Sequence, residues 1–119
     1  MEVPDGSATS HLVALTTAPS VEEARTIVRA LVERRLIACG TIVPGALSIY
    51  RWEGAVEHEH EVLVLLKTTR ERWPALVGAL PLLHSYEVPE LVALPVVAGL
   101  QAYLDWVSDE TAPQEPAEG

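Results

Sequence analysis

The residues best suited to chemistry fall in two short segments. Glu57-His58-Glu59-His60-Glu61 alternates two side-chain types, and along a strand that alternation sets His58 and His60 on one face and the three glutamates on the other. Two imidazoles about 7 Å apart at the Cα level can share a transition metal; a run of this kind near a hairpin tip equally reads as a solvated surface. His84-Ser85-Tyr86-Glu87-Val88-Pro89-Glu90 packs an imidazole, a phenol and two carboxylates into one short stretch between a helix end and a strand. Connections of this kind hold sites. His84 with Glu87 or Glu90 can coordinate a divalent cation, with Cys39 as a soft ligand if the fold brings it near. The competing reading has His84 capping the preceding helix and Glu90 paired with Lys67 or an arginine.

Cys39 is the sole cysteine, which excludes an intrachain disulfide and a multi-cysteine zinc site and fits a reducing compartment. A Cys39 nucleophile with His84 as its base is chemically conceivable, but the chain carries no G-x-S-x-G, G-x-G-x-x-G, P-loop or H-E-x-x-H motif. The expectation is a protein that is not an enzyme. Lys67 follows five apolar residues on what reads as a central strand and needs a partner, expected to be a carboxylate. Tyr50 and Trp52 share one strand face and read as packing or interface residues.

Eight Lys and Arg against seventeen Asp and Glu give a net charge of −9, which repels nucleic-acid phosphates and anionic lipid and attracts cations. The longest nearly apolar run, Leu91 to Leu100, is broken by Pro95 and Gly99 and is too short to cross a membrane. Met1 to Ser10 has no basic stretch and no apolar core of a secretory signal, so the expected location is cytoplasmic. Residues 1–10 and the acidic residues 110–119 read as disordered tails flanking one domain, 11–109.

The elements that must position these residues follow from pattern. His11 to Thr17 is a strand closed by Ala18-Pro19. Ser20 and Glu23 form a capping box, and Val21, Ala24, Ile27, Val28, Leu31 and Val32 follow at helical spacing. Ala38 to Trp52 reads as an edge strand, bulged or bent at Pro44-Gly45; Glu53-Gly54 turns it into a second long strand, Val56 to Thr68. Trp73 to Leu83 is a helix that Pro81 kinks or ends, Leu91 to Val97 a last strand, and Gln101 to Asp109 a terminal helix. The order βαββαβ plus a helix predicts an α+β, ferredoxin-like sandwich with both main helices on one face of an antiparallel sheet.

The other face then needs a cover. Val62-Leu63-Val64-Leu65-Leu66, Leu12-Val13-Ala14-Leu15 and Leu91-Val92-Ala93-Leu94 are apolar at both strand parities, whereas a sheet with one wet face alternates. Two helices cover one side only, so the expectation is a second copy of the chain in closed symmetry over the other. The alternative is that the terminal helix folds back over that face.

Taken together, Ala38-Cys39, Ile42-Val43-Pro44-Gly45, Ser48 to Gly54, Glu61-Val62-Leu63 to Lys67-Thr68, His84 to Glu90 and Ala93-Leu94-Pro95 are distinctive, and the chain resembles the CutA divalent-cation tolerance family from its first strand to Trp106. The resemblance implies a ferredoxin-like subunit in a tight homotrimer, a cytoplasmic setting, and a role in tolerance of copper and other divalent cations. It implies Cys39, His84 and Glu87 or Glu90 as metal ligands, and Trp52, Lys67 and Tyr86 as lining an intersubunit cleft. The architecture is also similar to PII signalling proteins, which bind small molecules between subunits; a ligand sensor and a structural or anchoring trimer are the alternatives. The family commonly has proline where Ser85 stands and asparagine where Thr41 stands, and His58 and His60 are not family positions.

Overall fold

Strand β1, His11–Ala18, alternates between half-buried and buried along its length, with Leu12, Ala14, Thr16 and Ala18 turned to the core. The structure, a computed structural model, describes residues 9–114. After β1 come α1 (Val21–Glu33), β2 (Cys39–Trp52), β3 (Ala55–Thr69), α2 (Trp73–Leu83), β4 (Val92–Pro95) and α3 (Gln101–Thr111). The sheet order is β2-β3-β1-β4 with every neighbouring pair antiparallel, so each helical crossover skips one strand, as the split βαβ pattern requires.

Helix α1 begins where the sequence places it. Ser20 Oγ accepts the Glu23 N–H at 3.1 Å, but Glu23 does not close the reciprocal half of the box, because its carboxylate is drawn to Ser85. The apolar stripe of α1 docks through Ala24, Ile27 and Leu31 on Val62, Val64 and Leu66 of β3, with Leu76 and Leu80 of α2 completing the core. Full burial of each larger aliphatic in this layer contributes about 1.5–3 kcal/mol. Pro81 removes one amide donor near the end of α2 without ending it, and the helix continues to Leu83. Strand β4 is shorter than expected, since its pairing with β1 spans only Leu12 to Leu15. Helix α3 runs to Thr111, past the expected boundary at 109. Thr111 is buried, and Arg35 donates to the carbonyls of Asp109 and Ala112. Residues 1–8 and 115–119 of the two expected tails lie outside the described residues.

The bend at Pro44-Gly45 is a bulge. Val43 pairs with Leu63 and Ala46 with Glu61, one more residue on β2 than on β3, and Gly45 takes φ +88°. Glu53 and Gly54, at φ 48° and 82°, make the tight two-residue turn of the hairpin. Because β1 stops at Ala18, opposite Val62, the outer parts of β2 and β3 continue past the sheet as a two-stranded ribbon.

The reverse face carries Val13, Leu15, Leu63 and Leu65, with Val92 and Leu94 half exposed. Helix α3 folds back over one end of it: His11 Nε2 lies 2.9 Å from both Leu104 O and Ser108 Oγ, and Tyr103 reaches Cys39. The rest of that face has no cover among the described residues.

Candidate functional site

The residues singled out by sequence separate into two places. Cys39 lies at the start of β2, paired with Lys67, its sulfur 3.5 Å from the Tyr103 hydroxyl. Lys67 donates to Thr41 Oγ1 at 2.8 Å rather than to the expected carboxylate, because Thr41 stands on the same face one pair further along β2. Contact with the Cys39 sulfur, then burial, push the Tyr103 phenol up to about 12.

His84, Tyr86, Glu87 and Glu90 lie near the opposite end of β1. The Cys39–Lys67 pair is in register with Val13, whereas His84 is tied to Thr17, about 13 Å further along that strand. The His84 side chain is fully buried. Its Nε2–H donates to Thr17 O at 2.6 Å, and its Nδ1 accepts the Tyr86 N–H at 3.0 Å, which fixes the neutral tautomer. Both nitrogens are therefore occupied within the chain. The residue stands at the C-cap of α2, as one reading expected, yet its ring bonds to β1 and not to the helix. Ser85 N–H and O–H both donate to Glu23 Oε2, at 3.2 and 2.9 Å, anchoring the connection to α1.

This connection forms one wall of a cleft of about 580 Å³; the overhanging ribbon forms the other. Tyr50, Trp52, Glu59 and Glu61 come from the ribbon, Tyr86, Glu87 and Glu90 from the connection, and Thr17 and Pro19 from the end of β1. The Tyr86 hydroxyl donates to Glu61 Oε2 at 2.8 Å across the cleft, and its ring packs on the His84 imidazole at 4.6 Å between centroids. Burial, then the bond to Glu61, then the Glu61 and Glu59 charges hold the Tyr86 phenol well above its ordinary range. Tyr50 is raised as well, by partial burial and by Glu59, Glu57 and Glu61. The cleft is thus an acidic groove with aromatic walls, suited to a cation or to a small organic molecule. Within the chain, Trp52 and Tyr86 line this cleft and Lys67 lies outside it.

Glu59 and Glu61 were missed as cleft residues. The available signal was strand length: strands of 14 and 15 residues beside one of 8 must overhang, and the overhang carries those glutamates. Among the described residues no three His, Cys, Asp or Glu side chains converge closely enough to hold a metal ion, and no helix is long and apolar enough to cross a membrane. A larger concavity along α1, bounded by Val21, Glu22, Arg25, Val28 and Ile42, contains none of the candidate site residues.

Comparison with known proteins adds the following. A family model described as CutA1 divalent ion tolerance protein matches residues 12–110. A relative from Thermus thermophilus, named divalent-cation tolerance protein CutA, is 54% identical over 99 residues, covering 83% of this chain and 96% of its own. One of the same name from Escherichia coli is 42% identical over 102 residues, covering 86% and 91%. Among solved structures, the divalent cation tolerance protein from Thermus thermophilus superposes with a TM-score of 0.84 at 52% identity over 86% of this chain and 99% of that one. CutA from Xylella fastidiosa superposes with a TM-score of 0.85 at 38% identity over 87% and 100%.

Proposed function

The chain belongs to the CutA1 divalent ion tolerance family, and from that premise we propose that it acts in the cytoplasm as a non-enzymatic homotrimer that binds a divalent metal ion, copper first, at the acidic cleft. The observation that carries this is the convergence of Glu59, Glu61, Glu87 and Glu90 on one groove in a protein of net charge −9. Glu61 is already engaged by Tyr86, which leaves Glu59, Glu87 and Glu90 as the donors. Among the described residues no three ligands close in on one point within one chain; a neighbouring copy across the cleft would complete the set. Cu2+ leads the affinity order for divalent ions at nitrogen and oxygen donors. Cys39 and His84 take no part in this arrangement, since the first is remote and the second is fully bonded.

Two features support the oligomer. The reverse face leaves Val43, Val92 and Leu94 exposed beyond the reach of α3, and on the same side the ribbon exposes Trp52. A two-stranded ribbon is marginal in water by itself, so packing against another subunit gives it a reason to persist. Sedimentation at micromolar concentration is expected to give about three times the 12.9 kDa chain mass, and Cu2+ titration to show affinity reduced at least tenfold in Glu87→Gln/Glu90→Gln. A monomer, or copper binding by carboxylate oxygens unchanged in that variant, would refute the proposal. The cleft's volume and its Tyr50, Trp52 and Tyr86 walls favour one second reading, a sensor of a small organic ligand in the manner of PII proteins. An organic molecule retained in native mass spectrometry would select it.

A further inference from the structure

Of the chain's four histidines, two are committed inside the fold, His11 to α3 and His84 to β1 and its own connection. His58 and His60 are exposed, and neither imidazole has a hydrogen-bond or ion-pair partner among the described residues. They lie within the uninterrupted register that runs from Ala46↔Glu61 to Trp52↔Ala55, opposite Ile49 and Leu47. Regular pairing over this stretch preserves the two-residue alternation, so both imidazoles leave the same side of the ribbon, about 7 Å apart at Cα. Glu57, Glu59 and Glu61 leave the other side. Strand β3 has no pairing with β1 before Val62, so no third strand crowds the two rings.

We propose that His58 and His60 form a bidentate surface site for a divalent transition-metal ion with a preference for Cu2+, separate from the acidic cleft on the other side of the same ribbon. Two ring nitrogens that each sit about 2 Å from one ion must come to about 3 Å from each other. Side chains two apart on a strand reach this by rotation about χ1 and χ2, and these two forfeit no existing bond in doing so. Ile49 and Leu47 offer no competing donor. With no third His, Cys, Asp or Glu among the described residues converging on the pair, water fills the remaining positions. That set suits a tetragonal Cu2+ site with two in-plane imidazoles better than a closed four-ligand zinc site. Arg51 shares this face, two pairs from His60 and one from His58, and it is exposed, where solvent and salt screen its repulsion of the ion.

The proposal does not depend on the cleft binding metal, and its test separates the two. Cu2+ is titrated into the full chain and followed by pulsed electron paramagnetic resonance, which counts coordinated imidazoles. The parent is expected to show a population with two imidazoles per ion; His58→Gln and His60→Gln each reduce that to one and weaken binding at least tenfold. The exchange variant Glu59→His/His60→Glu keeps the composition but turns the two imidazoles to opposite faces, and it is expected to lose the two-imidazole signal while Glu87→Gln/Glu90→Gln keeps it. No two-imidazole signal in the parent, or its survival in either His58→Gln/His60→Gln or the exchange variant, overturns the proposal.

Discussion

Replacing His84 by alanine tests whether this imidazole is a tie within the fold or a metal ligand. The side chain is fully buried and satisfies two backbone groups, the Thr17 carbonyl and the Tyr86 amide, while its ring packs on Tyr86. His84→Ala leaves both backbone groups without their partner. Each orphaned buried group costs about 1–3 kcal/mol, and the lost ring contact adds about 0.5–1.5 kcal/mol. Partial entry of water from the adjacent cleft offsets some of this, so the expected loss is about 3–5 kcal/mol, a large part of the about 5–15 kcal/mol of a typical domain.

The assay is urea unfolding at one fixed chain concentration, because association adds a concentration-dependent term to apparent stability. The midpoint should fall with little change in slope. His84→Gln, whose amide can donate to Thr17 O and whose oxygen can accept a backbone N–H, should recover part of the loss. The affinity for Cu2+ should change less than threefold in either variant. Stability within about 0.5 kcal/mol of the parent, together with a tenfold or greater loss of copper affinity, would refute the reasoning and return His84 to the ligand set.

Three further expectations follow from local geometry. A Cβ at Gly40 would lie 2.7 and 2.9 Å from the two Val28 methyl carbons, so Gly40→Ala should cost about 1–3 kcal/mol by overpacking; Val28→Ala in the same chain should relieve part of it, and additive losses in the double variant would count against the clash. Ser20→Ala removes the oxygen that caps Glu23 N–H and should cost about 0.5–2 kcal/mol in thermal or urea unfolding. All three tyrosines are raised on folding, so phenolate absorbance at pH 10 should be well below the half-ionisation of an unfolded chain. Because the folded values exceed the unfolded ones, the associated stability is complete below about pH 10 and declines as pH rises toward the folded values; a Tyr86→Phe variant should show a shallower decline, and an unaltered pH profile would remove Tyr86 from the account.

Much of the fold was legible because local signals agreed with one another. Ser20 before an apolar stripe started α1, Pro44-Gly45 marked the bulge, and Glu53-Gly54 made the turn. What sequence could not supply was proximity between segments. Cys39 and His84 looked like members of one ligand set, but they attach near opposite ends of β1. Lys67 was assigned a carboxylate because burial of a charge demands compensation, and the register satisfied it with the Thr41 hydroxyl. His84 looked available because a free imidazole and a doubly bonded one are identical in sequence; the carbonyl that engages it belongs to a residue 67 positions earlier.

The chemistry of the ribbon depends on one residue of register. Before the bulge, Thr41 and Val43 of β2 pair with Leu65 and Leu63 on the reverse face of the sheet; after it, the parity is exchanged, and Ser48 and Tyr50 pair with Glu59 and Glu57. The extra residue at Pro44-Gly45 is therefore what sets Tyr50 and Trp52 on the glutamate side and Leu47, Ile49 and Arg51 on the histidine side. Without it, continuation of the inner register would turn Leu47 and Ile49 to the glutamates, leaving an aliphatic wall that neither stacks on a ligand nor donates to a carboxylate. The Tyr86–Glu61 bond depends on the same arrangement, since Glu61 is the first residue of β3 paired beyond the bulge. Deleting Gly45 thus discriminates between a bulge that merely bends the strand and one that assigns its faces. If it assigns them, the deletion should quench less Trp52 fluorescence when Cu2+ is added and displace the Tyr50 titration toward its ordinary value, with β-sheet content retained in circular dichroism. Unchanged Tyr50 and Trp52 signals in a folded deletion variant would mean that the ribbon recovers its register by shifting the turn at Glu53-Gly54.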